Sequence, residues 1–394
     1  MSRALYGYPW DFPAASAAAD LAAVGRMGID TLTLAAAYHA GKFIRPRAAG
    51  GKVIFPEDGT VYFRARAERY GTLKPHISKL TRDEDVLGRL CATPGLAVNA
   101  WLVLLHNTRL GTAHPEATVR NAFGDSYVYS LCPANPEVRA FAVALTADVS
   151  EAYPIAGVSL ETPGYLPYHH GFHHEFAQVE ANRWLECLLA LCFCPRCVSG
   201  AKTAGIEAEA LKVRVAAAID GYLASEVSAP QDMALDWWIG DLLADPDLSA
   251  YLRWRCDVVT SLVREIRAAV RSDVTVAVIP SVQRPSSLAW LEGSDLHGLA
   301  RAADVLEVPF YEPEAGRIRA DAWDVRRRIG EDRPLRAILR PGWPDMASRQ
   351  DLVAALAALR DAGIEDIGFY NYGLLRPMNL TWLAEVLAPL GGPS

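Results

Sequence analysis

Two glutamates in this sequence stand where a carboxylate has a reason to do chemistry. Glu161 closes the apolar run Ala156-Gly157-Val158-Ser159-Leu160 and is followed at once by Thr162-Pro163-Gly164, a strand-to-loop break that should leave its carboxylate projecting into a mouth. Glu307 stands inside Val305-Leu306-Glu307-Val308-Pro309, where a charge among β-formers needs either a site to face or a buried ionic partner. Glu312 lies just beyond and is its rival. Hydrolysis of a glycosidic bond uses two such groups across the sugar, one giving a proton to the leaving oxygen and the other attacking or activating water. Glu161 and Glu307 are therefore expected as the catalytic pair, in unassigned order. A separation of about 5 Å would mean retention of configuration, and roughly 6.5 to 9.5 Å inversion. A structural ion pair is the competing account of each residue.

Sugars are gripped by aromatic faces and planar hydrogen-bonding groups, and these recur where apolar runs end. Trp10 and Asp11 follow the first run; Tyr38, His39 and Lys42 the second; His106, Asn107 and Arg109 the third. Tyr311 follows the sixth, Arg340 and Trp343 the seventh, and Asn371 and Tyr372 the eighth. Tyr165, His170 and His173 join them from the loop after Glu161, where Tyr168-His169-His170-Gly171-Phe172-His173-His174-Glu175 packs histidines beside a carboxylate. Histidine with carboxylate also holds metals, so a metal-dependent hydrolase or isomerase using this loop is a second reading. Against it, adjacent histidines point in different directions, and no His-x-His lies on the first strand. A carbohydrate-binding barrel without catalysis is a third. Asp125, Tyr127 and Tyr129 lie shortly before Cys132 and could be carried into the site, while Asp236-Trp237-Trp238 reads as a lid or as the core of an added helical layer. Serine nucleophile chemistry has no Gly-x-Ser-x-Gly elbow to support it.

Cys192-Phe193-Cys194-Pro195-Arg196-Cys197 puts three thiols in one tight turn, a spacing from which thiolates can converge on tetrahedral zinc if a fourth ligand arrives. Cys187, Cys132 and Cys91 compete for that place; a two-cysteine redox motif and plain buried cysteines are the other readings. Here the sequence resembles the glycoside hydrolase family 42 β-galactosidases, whose barrel carries a zinc on four cysteines. The likeness runs through Cys132-Pro133-Ala134-Asn135-Pro136-Glu137-Val138-Arg139, then Ile155 to Glu161, then the Cys192 to Cys197 turn, over about 70 residues with order and spacing agreeing. It implies a barrel with a structural zinc on Cys132, Cys192, Cys194 and Cys197. The chain departs from the family where that family has an Asn-Glu pair after strand four, since Thr162 and Pro163 stand there and Glu161 takes the place of an aspartate. β-Galactosidase specificity therefore does not carry over.

The elements that must position these residues read as eight βα units. Strands are expected at Leu5 to Trp10, Thr31 to Ala36, Ala97 to Leu105, Ala156 to Glu161, Val274 to Pro280, Val305 to Pro309, Leu335 to Leu339 and Asp366 to Tyr370. Met27-Gly28-Ile29-Asp30 and Ala362-Gly363-Ile364-Glu365 read as helix stops before strands two and eight. Leu352, Leu356 and Leu359 recur at helical spacing before strand eight, as do Leu252, Cys256, Val259, Val263, Ile266 and Val270 before strand five. The fold expected is α/β, a (β/α)8 TIM barrel with long loops after strands 2, 3 and 4, forming one domain over 1–394 with a helical excursion at about 166–250. An open doubly wound sheet is the weaker alternative, for want of a Gly-rich turn after the first strand.

Composition limits the partners. With 39 basic and 46 acidic residues mixed along the chain, no nucleic-acid or membrane-surface footprint is expected, and a small-molecule carbohydrate substrate is. Self-association into a homo-oligomer is left open. The start Met1-Ser2-Arg3 lacks a secretory pattern and the odd cysteine count suits a reducing compartment, so a cytoplasmic location is the expectation. A structural zinc is the only cofactor expected.

Overall fold

The computed structural model describes residues 2–172 and 177–387. Eight parallel strands close on themselves: β1 (Arg3–Gly7), β2 (Thr31–Tyr38), β3 (Ala97–Val103), β4 (Gly157–Glu161), β5 (Thr275–Val278), β6 (Val305–Pro309), β7 (Leu335–Leu339) and β8 (Asp366–Phe369). Each pairs with its sequence neighbour, and β1 closes the barrel by pairing both β2 (Leu5 opposite Leu32) and β8 (Leu5 opposite Phe369). β2 and β7 are buried along their whole length, as strands must be that have helices on one side and barrel interior on the other.

The helices outside explain their own positions. α1 (Ala17–Arg26) leads to Gly28 at φ +76°, and the helix before β8 (Arg349–Asp361) to Gly363 at φ +67°. Both glycines take the left-handed turn expected of a helix stop. α2 (Val86–Cys91) precedes β3, and α3 (Pro136–Ala152) follows it, opened by Asn135, whose side chain accepts from the Glu137 amide, with Pro136 at the first helical position. The connection from β4 to β5 carries α4 (Arg183–Leu189), α5 (Pro195–Thr203), α6 (Ala208–Ala224), α7 (Gln231–Ala244) and the long α8 (Pro246–Ala269). On α8, Leu252, Val259, Val263 and Ile266 are buried as their spacing predicts, while Cys256 is half-buried. The Trp238 ring on α7 is 1% exposed and stacks on Trp290 at 5.6 Å, so this tryptophan belongs to the helical layer and not to a lid.

Several strand ends differ from the sequence reading: β2 runs on to Tyr38, β5 stops at Val278 and β8 at Phe369, and β1 and β3 also end early. β1 stops at Gly7 and not at Trp10, because Pro9 opens a short 3-10 turn, Pro9–Asp11, in which Asp11 accepts from the Tyr8 amide at 3.0 Å. β3 ends as a regular strand at Val103, yet the Leu104 and Leu105 amides still donate to Glu161 and Thr162. The loop after β2 folds back on itself, with Thr60–Val61 running antiparallel to the end of β2. The loop after β3 forms a hairpin, Thr118–Arg120 with Ser126–Leu131. Both loops, with the excursion after β4, crowd one side of the C-terminal face.

Candidate functional site

Glu161 is the last residue of β4, and the chain turns sharply behind it. Thr162 has φ +52°, a left-handed conformation that costs a β-branched residue roughly 1–3 kcal/mol. The Glu161 side chain lies in the mouth, partly exposed, and its Oε2 accepts from the Trp101 indole Nε1 at 2.6 Å. Burial pushes its carboxyl up to about 7; the Trp101 N–H works against that shift and the Glu307 charge adds to it. A carboxyl half-protonated near neutral pH is suited to giving and taking a proton.

Aromatic rings surround it. Tyr6, Tyr8, Tyr38 and Trp101 form a cluster inside the barrel, with Trp10, Phe43, Tyr311 and Tyr370 packed on its upper edge. The Tyr8 hydroxyl lies 3.1 Å from that of Tyr38 and 2.8 Å from that of Tyr370, and Trp10 stacks on Tyr8 at 4.6 Å. On the far side the Arg340 guanidinium lies 4.6 Å over the Tyr311 ring and is held by Asp345 through bonds of 2.6 and 2.7 Å.

Glu307 is not brought to this mouth. It is 0% exposed and lies inside the barrel, where its Oε2 accepts from Ser159 Oγ at 2.5 Å and its Oε1 from Arg336 at 3.2 Å. Ser159 is two residues before Glu161, so the ion pair sits one layer beneath the mouth. This is the buried ionic partner that a charge within β-formers requires. A carboxyl that sequence reasoning missed, Glu292, ends the 3-10 segment Ser286–Glu292 after β5. It is 3% exposed, accepts from Ser281 Oγ at 2.7 Å and the Val282 amide at 2.9 Å, and is pushed up to about 8 mainly by burial, with the Glu161 charge adding to the shift. No local pattern marks Glu292, which precedes a turn glycine on a helical segment.

Beside the mouth opens a cleft of about 820 Å³ whose lining includes His39, Asp58, His106, Arg109, His169, His170 and Phe172. Tyr38 connects the two regions, because His39 stacks on it at 4.3 Å and on His106 at 4.3 Å. His170 meets His106 edge-on at 5.9 Å. Asp58, which no sequence pattern singles out, accepts from the Ala40 and Arg109 amides at 3.0 and 2.7 Å, pinning the loop after β2 to that after β3. Lys42 does not line this cleft. His173 and His174 lie outside the described residues. Among the described residues the histidines do not gather into a metal-ligand set.

Several other residues expected to touch substrate are occupied elsewhere. Asp11, pushed up to about 6 chiefly by burial, caps its own turn and faces Arg45 at 4.0 Å. Asn107 caps the Thr108–Ala113 helix by accepting from Leu110 at 2.9 Å. Tyr165 is 0% exposed beneath the Arg255 guanidinium, its hydroxyl 3.6 Å from Cys197 Sγ. Glu312 is buried against Arg317 at 2.6 Å. Tyr372 stacks on Phe12 and donates to Asp20 at 2.8 Å. Asn371 is buried and accepts from the Gly373 amide at 3.0 Å. Trp343 is the opposite case, 90% exposed on the loop after β7. These are local caps and packing contacts between distant segments, which residue type alone does not reveal. Of Asp125, Tyr127 and Tyr129, the tyrosines stack on each other at 5.8 Å, while Asp125 bonds Asn121 within its own hairpin.

Cys132, Cys192, Cys194 and Cys197 are buried, unbridged, and have sulfurs all within 4.8 Å of one another. Cys132 Sγ lies 3.6, 3.4 and 3.9 Å from those of Cys194, Cys197 and Cys192. Thiolates on one tetrahedral ion with bonds of about 2.3 Å would stand roughly 3.8 Å apart, so the donor set fits a structural metal. Burial pushes the Cys132 and Cys197 thiols well up, and gathering four thiolates there needs a cation to offset their charge. Cys187 is buried separately in α4 and is not part of the set.

No family profile matches the sequence, and no curated protein matches it either. Solved structures do resemble the fold. The glycoside hydrolase domain of PgaB (BpsB) from Bordetella bronchiseptica aligns with a TM-score of 0.60 at 16% identity, over 99% of this chain and 100% of that one. The β-galactosidase of Halorubrum lacusprofundi aligns with a TM-score of 0.58 at 12% identity, over 100% of this chain and 59% of that one. That of Bacillus circulans aligns with a TM-score of 0.58 at 14% identity, over 98% of this chain and 55% of that one. This chain thus spans a little over half the length of either β-galactosidase, and at these identities the likeness is one of fold.

Proposed function

We propose that this chain is a glycoside hydrolase acting on a small glycoside or oligosaccharide, with Glu161 as its proton donor. One observation carries the reading: Glu161 ends β4 at the C-terminal face, is held by the Trp101 N–H in an aromatic mouth, and is pushed up to about 7. Active sites of this fold lie on that face. The names of the similar folds, a glycoside hydrolase domain and β-galactosidases, agree with the reading without fixing the sugar. The protonated carboxyl gives its proton to the leaving oxygen as the glycosidic C–O bond breaks; water adds to the anomeric carbon and its released proton returns to the Glu161 carboxylate. The rings of Tyr311 and Tyr370 offer faces to the sugar, and the cleft beside His39 and His106 takes the remainder of the ligand. Zinc on Cys132, Cys192, Cys194 and Cys197 would be structural, tying the loop after β3 to the helical excursion.

The burial of both neighbouring carboxyls, Glu307 at 0% and Glu292 at 3% exposed, favours a second reading, a carbohydrate-binding barrel without turnover. Reducing-sugar release from a panel of p-nitrophenyl glycosides and short oligosaccharides separates the two. Hydrolysis is expected from the wild type, falling about 10²- to 10⁴-fold in Glu161→Gln with the fold intact. Binding by calorimetry without release from any member would establish the second reading instead.

A further inference from the structure

The chain as a whole is acidic, with a net charge of −7, but one piece of the face that carries the mouth is not. From His39 to Pro56 the sequence holds Lys42, Arg45, Arg47 and Lys52 and no aspartate or glutamate. This stretch forms a hairpin in the loop after β2, with Phe43–Ile44 running antiparallel to Val53–Ile54. Its base is closed where the Ala40 amide donates to Asp58 at 3.0 Å, and both of those residues line the cleft. Its inner side meets the mouth: the Phe43 ring stacks on Tyr8 at 5.4 Å, and Arg45 donates to the Trp10 carbonyl at 3.1 Å. The hairpin therefore borders both the cleft and the mouth.

Its charges are not neutralised within the fold. Lys52 donates to the Pro46 and Ala48 carbonyls at 3.1 and 2.6 Å, and Arg47 to the Tyr372 carbonyl at 2.7 Å with its guanidinium 3.9 Å over the Tyr372 ring. These partners are uncharged. Among the described residues, Lys42, Arg47 and Lys52 form no ion pair within 4.0 Å. The acidic groups facing the hairpin are Asp11, 4.0 Å from Arg45, and Glu57 and Asp58 at its base. Asp58 is held by the Ala40 and Arg109 amides, and Glu57 pairs with His76 at 3.2 Å. The outer side of the hairpin is apolar as well as basic. Ile44 and Phe55 are each 69% exposed, and Val53, paired with Ile44 across the hairpin, is 47% exposed. Apolar side chains in solvent beside uncompensated cations suit a ligand with both apolar faces and negative charges, which describes an acidic sugar. A nucleic acid would call for a longer basic track.

We propose that the glycan bound at this face is acidic: Lys42 and Lys52 hold its carboxylates, Arg45 and Arg47 add to the attracting field, and Ile44 and Phe55 lie against the C–H faces of its rings. The inference rests on the mouth being a carbohydrate site and adds the class of sugar, a uronic-acid oligosaccharide.

Calorimetry on the full chain carrying Glu161→Gln tests it, with matched pairs of neutral glucan, galactan and mannan oligosaccharides and their C6-oxidised, carboxylate-bearing forms. At about 0.05 M salt the acidic member of at least one pair should bind about 10-fold more tightly, and most of that preference should be lost at about 0.5 M. Lys42→Glu/Lys52→Glu should abolish the preference and its salt dependence, and the milder Lys42→Gln/Lys52→Gln should lower both. Lys202→Glu/Arg253→Glu, an equal change in net charge at exposed positions on α5 and α8, should keep both. Equal affinity within every pair, no acidic form bound, or a preference that survives both hairpin variants would overturn the proposal. So would a thymidylate oligonucleotide held as tightly as the best acidic sugar. Reducing-sugar release by the wild type from the same panel keeps the two claims apart. Cleavage of neutral members without an acidic preference fails this inference alone, and an acidic preference without cleavage of any member fails the hydrolase reading alone.

Discussion

At the scale of single residues, the site is set by how far burial moves protons. Glu161 and Glu292 ionise in the folded state only at about 7 and about 8, well above an ordinary glutamate. The folded protein therefore holds protons that the unfolded chain has already released between roughly pH 4.5 and 8. Their stabilisation is fully present below that window and is lost as pH rises through it. The expected result is a melting temperature that declines from pH 5 to pH 8, and a shallower decline in Glu292→Gln, followed by thermal denaturation across buffers. An equally steep decline in that variant would mean that Glu292 does not hold its proton. Activity, if carried by protonated Glu161, should likewise fall as pH rises through about 7.

At the scale of elements, the cysteine set joins the hairpin ending at Leu131 to the start of α5 at Pro195, segments that otherwise meet through the Phe193 amide donating to the Arg120 carbonyl. On the proposal that this set holds zinc, elemental analysis should find one ion per chain in the wild type and Cys132→Ser should lower it toward none. The same substitution should also raise hydrogen exchange in both segments while the eight barrel strands stay protected. The three thiols of the turn were legible in the sequence, because their spacing lets them converge on one point wherever the turn is placed; the place of Cys132 beside them was implied only by the family resemblance. β6 and β7 were legible to the residue, since each is a short run of β-formers with a single charge in it, bounded by turn signals. The role of Glu307 was not. The sequence shows a charge in a strand, but its partner Arg336 lies on the next strand across, and only register shows that they meet. The contacts of Asn107, Tyr165 and Tyr372 were hidden for the same reason: their partners, Leu110, Arg255 and Asp20, are defined by folding and not by residue type.

At the scale of the whole molecule, the barrel presents one face where the mouth, the cleft and the long loops meet. The cleft borders β2, β3 and the loop after β4, so under the proposed function a ligand seated at Glu161 would extend past Tyr38 toward His106 and Arg109. Arg109→Ala should raise KM for oligosaccharides by about 3- to 10-fold, the worth of one hydrogen bond, with kcat little changed. Trp343→Ala, at a side chain 90% in solvent, should leave stability within about 0.5 kcal/mol, so any loss of binding there reports sugar contact directly. Everything proposed for this face requires a glycosidic oxygen to come to Glu161, and a crystal structure of Glu161→Gln with an oligosaccharide that the wild type cleaves shows whether it does. The scissile oxygen is expected within about 3 Å of the substituted side chain at position 161, with the remaining units in the cleft beside His39 and His106. A sugar bound away from β4, with position 161 out of reach of any glycosidic oxygen, would refute the assignment of Glu161 as proton donor.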